Sequence, residues 1–404
     1  MRCLAIIFLV LLGCSGENIN DQPNADSTVE DIIEIKVDIE KAKELKMSEF
    51  FSNVSYYPLE TPDNAPIGLI DKIMIQEGHI ALYDKTKRSV WVYSKSGEYV
   101  SEVRIPYGRG PREIEHLLDV SFDKDLNIHA LGDFKFLIFD LNGEVKKEVS
   151  FDLFVRKFIY DSDKGSYFSF AGGNKNSKLP SSLRGNNVFE FDQNGEIIST
   201  YMPFEENRTA IGYGIPNNFP TYAGEHYYFQ HLYDTVYTFE GNDLKPAYYL
   251  NFGENKLTEE VLDKSIDYGG TAYTWSDFWD NEVEPYDIVA YKTTFEITDK
   301  FIHTIVGSYK ENYMILYDRK TKVTHVGANT FLNDIDYGPS PFIYLSSDQS
   351  LYSYVEANDF LRLMNKIYKE DREKYFSTKM SRLRELANGM TDVKNPILMR
   401  LDFK

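Results

Sequence analysis

The sequence predicts an all-β chain that closes into a six-bladed β-propeller, with a short helical insertion and a helical segment near the C-terminus. Three observations carry this prediction. A phrase of alternating apolar residues, an aromatic and a polar turn recurs six times. The copies are spaced roughly one four-stranded blade apart. Tyr and Phe, which suit pleated, half-buried surfaces, number 30 and 27 in 404 residues.

The phrase is clearest as Val90-Trp91-Val92-Tyr93-Ser94-Lys95-Ser96-Gly97-Glu98, Phe136 to Glu144 and Val188 to Glu196. Weaker copies begin at Val236, Met314 and Leu351. Measured between Tyr93, Phe139, Phe191, Phe239, Tyr317 and Tyr354, the steps are 46, 52, 48, 78 and 37 residues. Four-stranded propeller blades take about 40–50 residues, so the 78-residue step reads as a blade plus an insertion. A second apolar strand precedes each phrase, starting at Ile80, Ile128, Tyr167, Tyr227, Ile302 and Phe342. Asn142-Gly143 and Asn194-Gly195 supply residues that tolerate the positive φ of tight hairpins. A β-sandwich is the alternative, but it does not require one phrase to return in order. Ile32 to Val37, or Val54 to Leu59, is expected to complete a blade with the strand at Ile397 to Leu401, leaving no open edge.

Two stretches depart from the repeat. Residues 254–290 carry a capping-box-like Thr258-Glu259-Glu260-Val261, which predicts a short helix, and then crowd aromatics including Tyr273, Trp275 and Trp279. Residues 357–388 read as helix, with Leu361, Met364, Ile367 and Tyr368 at helical spacing.

At the other end, Arg2 precedes an unbroken apolar run from Leu4 to Leu12. Nine residues are too few to cross a bilayer as a helix but suit a secretory signal. The run ends in Leu11-Leu12-Gly13-Cys14, which resembles the bacterial lipobox, in which the Cys is acylated and becomes the new N-terminus. The expected organisation is a signal peptide at 1–13, a flexible tether at 14–30 and a propeller at 31–404. Cys3, in the signal, is the only other cysteine, so no disulfide framework or thiolate chemistry is expected in the mature chain.

Tyr57-Pro58-Leu59-Glu60-Thr61, Ile73-Met74-Ile75, Val90-Trp91-Val92-Tyr93 with Gly97, and the closing Asn395-Pro396-Ile397-Leu398 together resemble a family of bacterial six-bladed β-propeller lipoproteins. Gly108-Arg109-Gly110-Pro111-Arg112-Glu113-Ile114 is similar to that family's Gly-x-Gly-Pro-Gly-Glu-Tyr loop, with Arg112 in place of Gly and Ile114 in place of the aromatic. The likeness spans roughly residues 50–404. It implies an NHL-like or TolB-like propeller in the cell envelope, as an outer-membrane lipoprotein, and defines no biochemical role.

Composition narrows the function classes. With 44 Lys plus Arg against 63 Asp plus Glu, the formal net charge is −19. That argues against nucleic-acid binding and against docking on an anionic membrane through a basic patch. No Gly-x-Ser-x-Gly or His-Glu-x-x-His occurs, and no cofactor or metal is expected.

Candidate ligand-binding residues fall into three groups. In the Gly108–Glu113 loop, Arg109, Arg112 and Glu113 have the donors to hold a carboxylate or sulfate, unless the loop is only an inter-blade connector. His129 and His303 sit at equivalent repeat positions, expected to face the channel or to be satisfied strand histidines. Tyr273, Trp275 and Trp279 suit stacking on sugars or peptides, unless they form a mini-core over the propeller. Asp84, Asp133 and Asp234 recur after repeat strands, as a polar ring or as hairpin caps. Asp123-Lys124-Asp125-Leu126-Asn127 and Asp161 to Gly165 read as turns rather than Ca²⁺ loops, lacking the Gly and terminal Glu that such loops need.

The functional expectation is a lipid-anchored binding module for an envelope protein, glycan or peptide, with the membrane touched only through the acyl anchor. The alternative is a glycan lyase or hydrolase with its site at the channel mouth.

Overall fold

A computed structural model describes residues 32–62, 67–203, 217–241, 243–267, 275–308, 310–328, 330–347, 349–390 and 395–404. These residues form six small sheets, which are the blades of a β-propeller. Blade one is Lys72–Gln76, His79–Asp84, Ser89–Ser94 and Tyr99–Arg104. Blade two is Asp119–Phe122, Ile128–Gly132, Lys135–Phe139 and Val145–Ser150. Blade three is Lys157–Asp161, Ser166–Phe170, Asn186–Phe191 and Ile197–Pro203. Blade four is Thr221–Tyr222, Glu225–Tyr228, Thr235–Glu240 and Asp243–Asn251, and blade five is Tyr291–Ile297, Phe301–Gly307, Asn312–Asp318 and Thr324–Ala328. Blade six combines Leu345–Ser347, Ser350–Val355, the C-terminal Ile397–Phe403 and the N-terminal Phe51–Pro58.

Strand alternation explains how the blades pack. On Ser89–Ser94, Val90 and Val92 face blade two, whereas Trp91 and Tyr93 face blade six. Every junction between neighbouring blades holds its own apolar cluster, and the junction of blade six with blade one completes the ring. Phe136, Phe158, Phe189 and Phe191 fill the junction of blades two and three. The abundant aromatics are therefore inter-blade filler.

The recurring phrase is a capped hairpin between third and fourth strands. Asp140 Oδ1 accepts from the backbone N–H of Asn142 and Glu144, at 2.9 and 3.0 Å. Asp192 does the same for Asn194 and Glu196, at 2.8 and 2.9 Å. In blade one the Ser94 hydroxyl takes this role toward Ser96 and Glu98. Gly97 has φ +90°, and a Cβ there would stand 2.6 Å from the Pro58 carbonyl oxygen. Only glycine suits both the turn and the approach to blade six.

Both N-terminal segments are used. Phe51–Pro58 pairs antiparallel with Ile397–Phe403 and closes the ring. Ile33–Lys36 instead pairs parallel with Asp243–Asn251 as a fifth strand of blade four. Between them, Lys43 bridges to Gly327 and Lys46 to Leu332. Residues 33–58 thus form a strap along the outer edges of blades four, five and six.

Two expectations change. In blade six the phrase at Leu351 is the second strand, not the third, because the third strand comes from the C-terminus after a helical excursion. That excursion is three helices, Ala357–Glu370, Arg372–Phe376 and Ser381–Gly389, rather than one. Asp371 breaks it, and its side chain accepts from the Lys374 N–H to start the second helix. Phe360, Met364, Ile367 and Leu383 bury against blades five and six. Among the described residues, no helix is long and apolar enough to cross a membrane.

Candidate functional site

Because successive strands alternate in direction, the hairpins joining first to second strands share one face of the ring. The central channel reaches that face. It encloses about 430 Å³ and takes lining residues from all six blades, among them Lys72, Ser121, Tyr160, His226, Glu296 and Ser346.

Glu296 is the most unusual of these. It lies in Tyr291–Ile297, where Phe295 and Ile297 pack toward blade four. Alternation turns Glu296 the other way, toward blade six and the channel. It is only 3% exposed. One carboxylate oxygen, Oε2, accepts from both the N–H and the hydroxyl of Ser346, each at 2.8 Å. Burial pushes the carboxyl up to about 7, against the opposing pull of the two Ser346 bonds.

A charged cluster ties three blades together at the other end of the lining. Lys72 Nζ donates to both oxygens of Asp119, at 3.1 and 3.2 Å, and to the Val120 carbonyl at 2.7 Å. Asp119 also accepts from the Phe158 N–H at 3.1 Å, with Lys157 Nζ 3.6 Å away. Burial lowers the affinity of Lys72 for its proton, and Asp119 counters this. Toward the mouth, His226 Nε2 stands 3.8 Å from Asp161 and its Nδ1 is 2.9 Å from the Thr221 hydroxyl. Burial pulls this histidine below its ordinary value. Lys124 pairs with Asp163 beside it.

Those of the residues singled out from the sequence that are described lie elsewhere, and the structure does not bring them together. Arg109 is exposed, and its guanidinium makes a two-bond clamp on Glu115 at 2.6 and 2.7 Å. Arg112 has φ +62° and uses its backbone N–H on Glu148 at 3.0 Å. Glu113 folds back to accept from the Gly110 N–H at 2.9 Å, and a Cβ on Gly108 would collide with its carboxylate. Arg109 and Glu113 are thus engaged within the chain, at Glu115 and at the Gly110 N–H.

His129 is in the second strand of blade two, one strand away from the channel. It sits at the junction with blade three, bonded to Asp123 and Tyr167 at 2.9 Å each and stacked on Tyr160. His303 is likewise in a second strand, fully buried, with no hydrogen-bond partner on either ring nitrogen among the described residues, and burial pulls it down to about 3.

In the insertion, Trp279 is buried with Leu232, Leu257, Leu262, Phe278 and Val283, and its ring lies 4.4 Å from that of Tyr291. This is a mini-core. Thr258 starts the expected helix, Glu259–Asp267, by accepting from the Val261 N–H. Tyr273 and the side chain of Trp275 lie outside the described residues, as does Cys14.

The repeated aspartates cap turns or pair across blades instead of ringing the channel. Asp84 accepts from Gly68 and Lys87 N–H groups at 2.7 and 2.9 Å. Asp133 holds His116, and Asp234 pairs with Lys292. Asp123 and Asp161 cap their own hairpins. Among the described residues, Glu115, His116 and Asp133 alone place three possible metal ligands within 4.8 Å of one another, away from the channel, and Arg109 already holds Glu115.

Glu296 was missed because its neighbours read as an ordinary strand. The available signal was a carboxylate alternating with Phe295 and Ile297 in a blade whose next strand, Phe301–Gly307, is buried on both faces.

A family model described as "Domain of unknown function (DUF4934)" matches residues 30–402. No curated protein matches the chain. Among solved structures, the chain is similar to a Bacteroides fragilis protein named as a predicted exported protein, with 18% identity, a TM-score of 0.72, and coverage of 92% of this chain and 99% of that one. A member of the DUF4221 family from Bacteroides vulgatus matches with 10% identity and a TM-score of 0.48, over 88% of this chain and 97% of that one. The β-propeller domain of the Pyrococcus furiosus Trilobed protease matches with 11% identity and a TM-score of 0.35, over 70% and 76%.

Proposed function

The chain belongs to the DUF4934 family, and we propose that it is an exported β-propeller, tethered to the cell envelope by an acyl group on Cys14, that binds a ligand at its central channel. In this reading it is one of the NHL-like propeller lipoproteins, anchored in the outer membrane. The address is supported by the apolar run at 4–12 ending in Leu-Leu-Gly-Cys, and by the export named for the Bacteroides fragilis protein.

One observation carries the binding role. All six blades contribute to one cavity of ligand size, and a buried carboxyl, Glu296, lines it. Burying an ionisable group is costly, and here Ser346 satisfies only one of the two oxygens, which leaves the other for a ligand at the cavity wall. Fitting partners are a glycan, a peptide or an extended segment of an envelope protein.

The test compares the mature chain with Ser347→Trp, which fills the channel, and with Arg109→Ala/Arg112→Ala, on glycan arrays and in envelope-protein pull-downs. Binding lost only in Ser347→Trp supports the channel. Binding lost only in the arginine variant refutes it.

A second reading, a glycan lyase or hydrolase, is favoured by one observation. A carboxyl held near 7 retains the proton that a general acid donates. Glycosidase chemistry also needs a second carboxylate about 5–9.5 Å away. Release of reducing sugar from envelope glycans, abolished by Glu296→Gln, would establish catalysis.

A further inference from the structure

We propose that the channel takes a primary amine, with the Glu296 carboxylate as its counter-charge. This rests on the channel being the ligand site and adds the chemical class of the ligand.

Three observations point the same way. First, Glu296 has a free acceptor. Ser346 satisfies Oε2 twice, while Oε1 accepts no hydrogen bond among the described residues and Glu296 lines the cavity. A carboxylate oxygen left open to a cavity is a place for a donor, and a charged donor makes the stronger bond.

Second, the lining has an excess of acid. Glu77, Asp161, Asp163 and Glu296 line it, against Lys72 and Lys124. Lys72 is engaged by Asp119 and the Val120 carbonyl, and Lys124 by Asp163. An anionic ligand would meet no uncommitted lysine in the lining, whereas a cation would meet Glu296 and Glu77. Third, beside aliphatic residues such as Ile73, Ile75 and Leu345, the lining carries the aromatic Phe122, Phe158, Tyr160 and Phe219. Ring faces attract an ammonium group where they would gain nothing from a carboxylate.

The test uses three probes of similar length that differ in charge: putrescine, 1,4-butanediol and succinate. Binding to the full mature chain is measured by calorimetry at neutral pH. Putrescine binds, the diol binds about tenfold or more weakly, as expected for loss of a charge-assisted hydrogen bond, and succinate does not bind. Glu296→Gln, which keeps the side-chain shape, lowers putrescine affinity by a similar factor.

Equal binding of putrescine and the diol overturns the amine assignment, as does putrescine binding that is unchanged in Glu296→Gln. The probe series in the wild type decides the question even if that variant is unstable. The two readings fail separately. If succinate binds, or the diol binds as tightly as putrescine, and Ser347→Trp abolishes that binding, the channel stands and the amine falls. If neither these probes nor a wider panel binds, both fall.

Discussion

Glu296 and His303 stand directly opposite each other on the first two strands of blade five, with both side chains on the face turned toward blade six. Neither bonds the other. Glu296 is held by Ser346, and His303 has no hydrogen-bond partner among the described residues. Burial favours the neutral form of each, so it raises the acid to about 7 and lowers the base to about 3.

Opposite pH dependences of stability follow. The unfolded values are 4.5 for Glu296 and 6.5 for His303. Between 4.5 and about 7 the fold keeps a proton on Glu296 that the unfolded chain has released, so stability falls as pH rises through this window. Between 6.5 and about 3 the unfolded chain binds a proton that His303 refuses, so stability falls as pH drops. The full effects are roughly 3 and 5 kcal/mol. Urea unfolding across a pH series will show Glu296→Gln gaining stability relative to wild type from about pH 5 to about pH 8. Parallel curves for the two proteins would contradict the burial of this carboxyl.

Lys292 and Asp234 form the most buried ion pair described, joining blades four and five. They approach to 2.5 Å in poor hydrogen-bond alignment, with side chains 0% and 6% exposed. Burial pulls the lysine down and the aspartate up, each opposed by the charge of the other. Lys292→Met strands the carboxylate and is expected to cost about 3–5 kcal/mol, whereas Lys292→Met/Asp234→Leu recovers most of the loss. A double variant as unstable as the single would show that packing, not charge, dominates.

Ring closure rests on Ile397–Phe403, gripped by Phe51–Pro58 on one side and Ser350–Val355 on the other. Leu401 is fully buried there, and Leu401→Ala should cost about 2–5 kcal/mol in urea unfolding. Gly97→Ala should cost about 1–3 kcal/mol, through its φ and its contact with Pro58. A neutral outcome for both would mean that the closure adds little.

Membrane attachment is tested at the other end of the chain. Cys14→Ser should move the protein from the membrane fraction to the soluble fraction, because no acyl chain would then be attached. Retention of the variant on membranes would refute the anchor.

The blades were legible because their signals are local. Asp140, Asn142 and Gly143 form one hairpin with its own cap, and the phrase repeats wherever that hairpin does. Blade six was misaligned because its third strand arrives from Ile397, beyond the helices. The site was less legible. Arg109 suggests an anion cradle until Glu115, six residues along, is seen to occupy it. His129 reads from the sequence as a channel residue or a satisfied strand histidine, and membership of a second strand turns it into a blade junction, where Asp123 and Tyr167 satisfy it. Glu296 becomes distinctive only once blade six covers its face of blade five, a relationship between strands fifty residues apart.

The most direct test of a channel site is crystallographic screening of the mature protein with a library of small polar compounds. Bound compounds are expected to gather in the channel, with amines against Glu296 and Ser346. Compounds gathering instead at the Gly108–Glu113 loop or the insertion, with an accessible channel left empty, would contradict it.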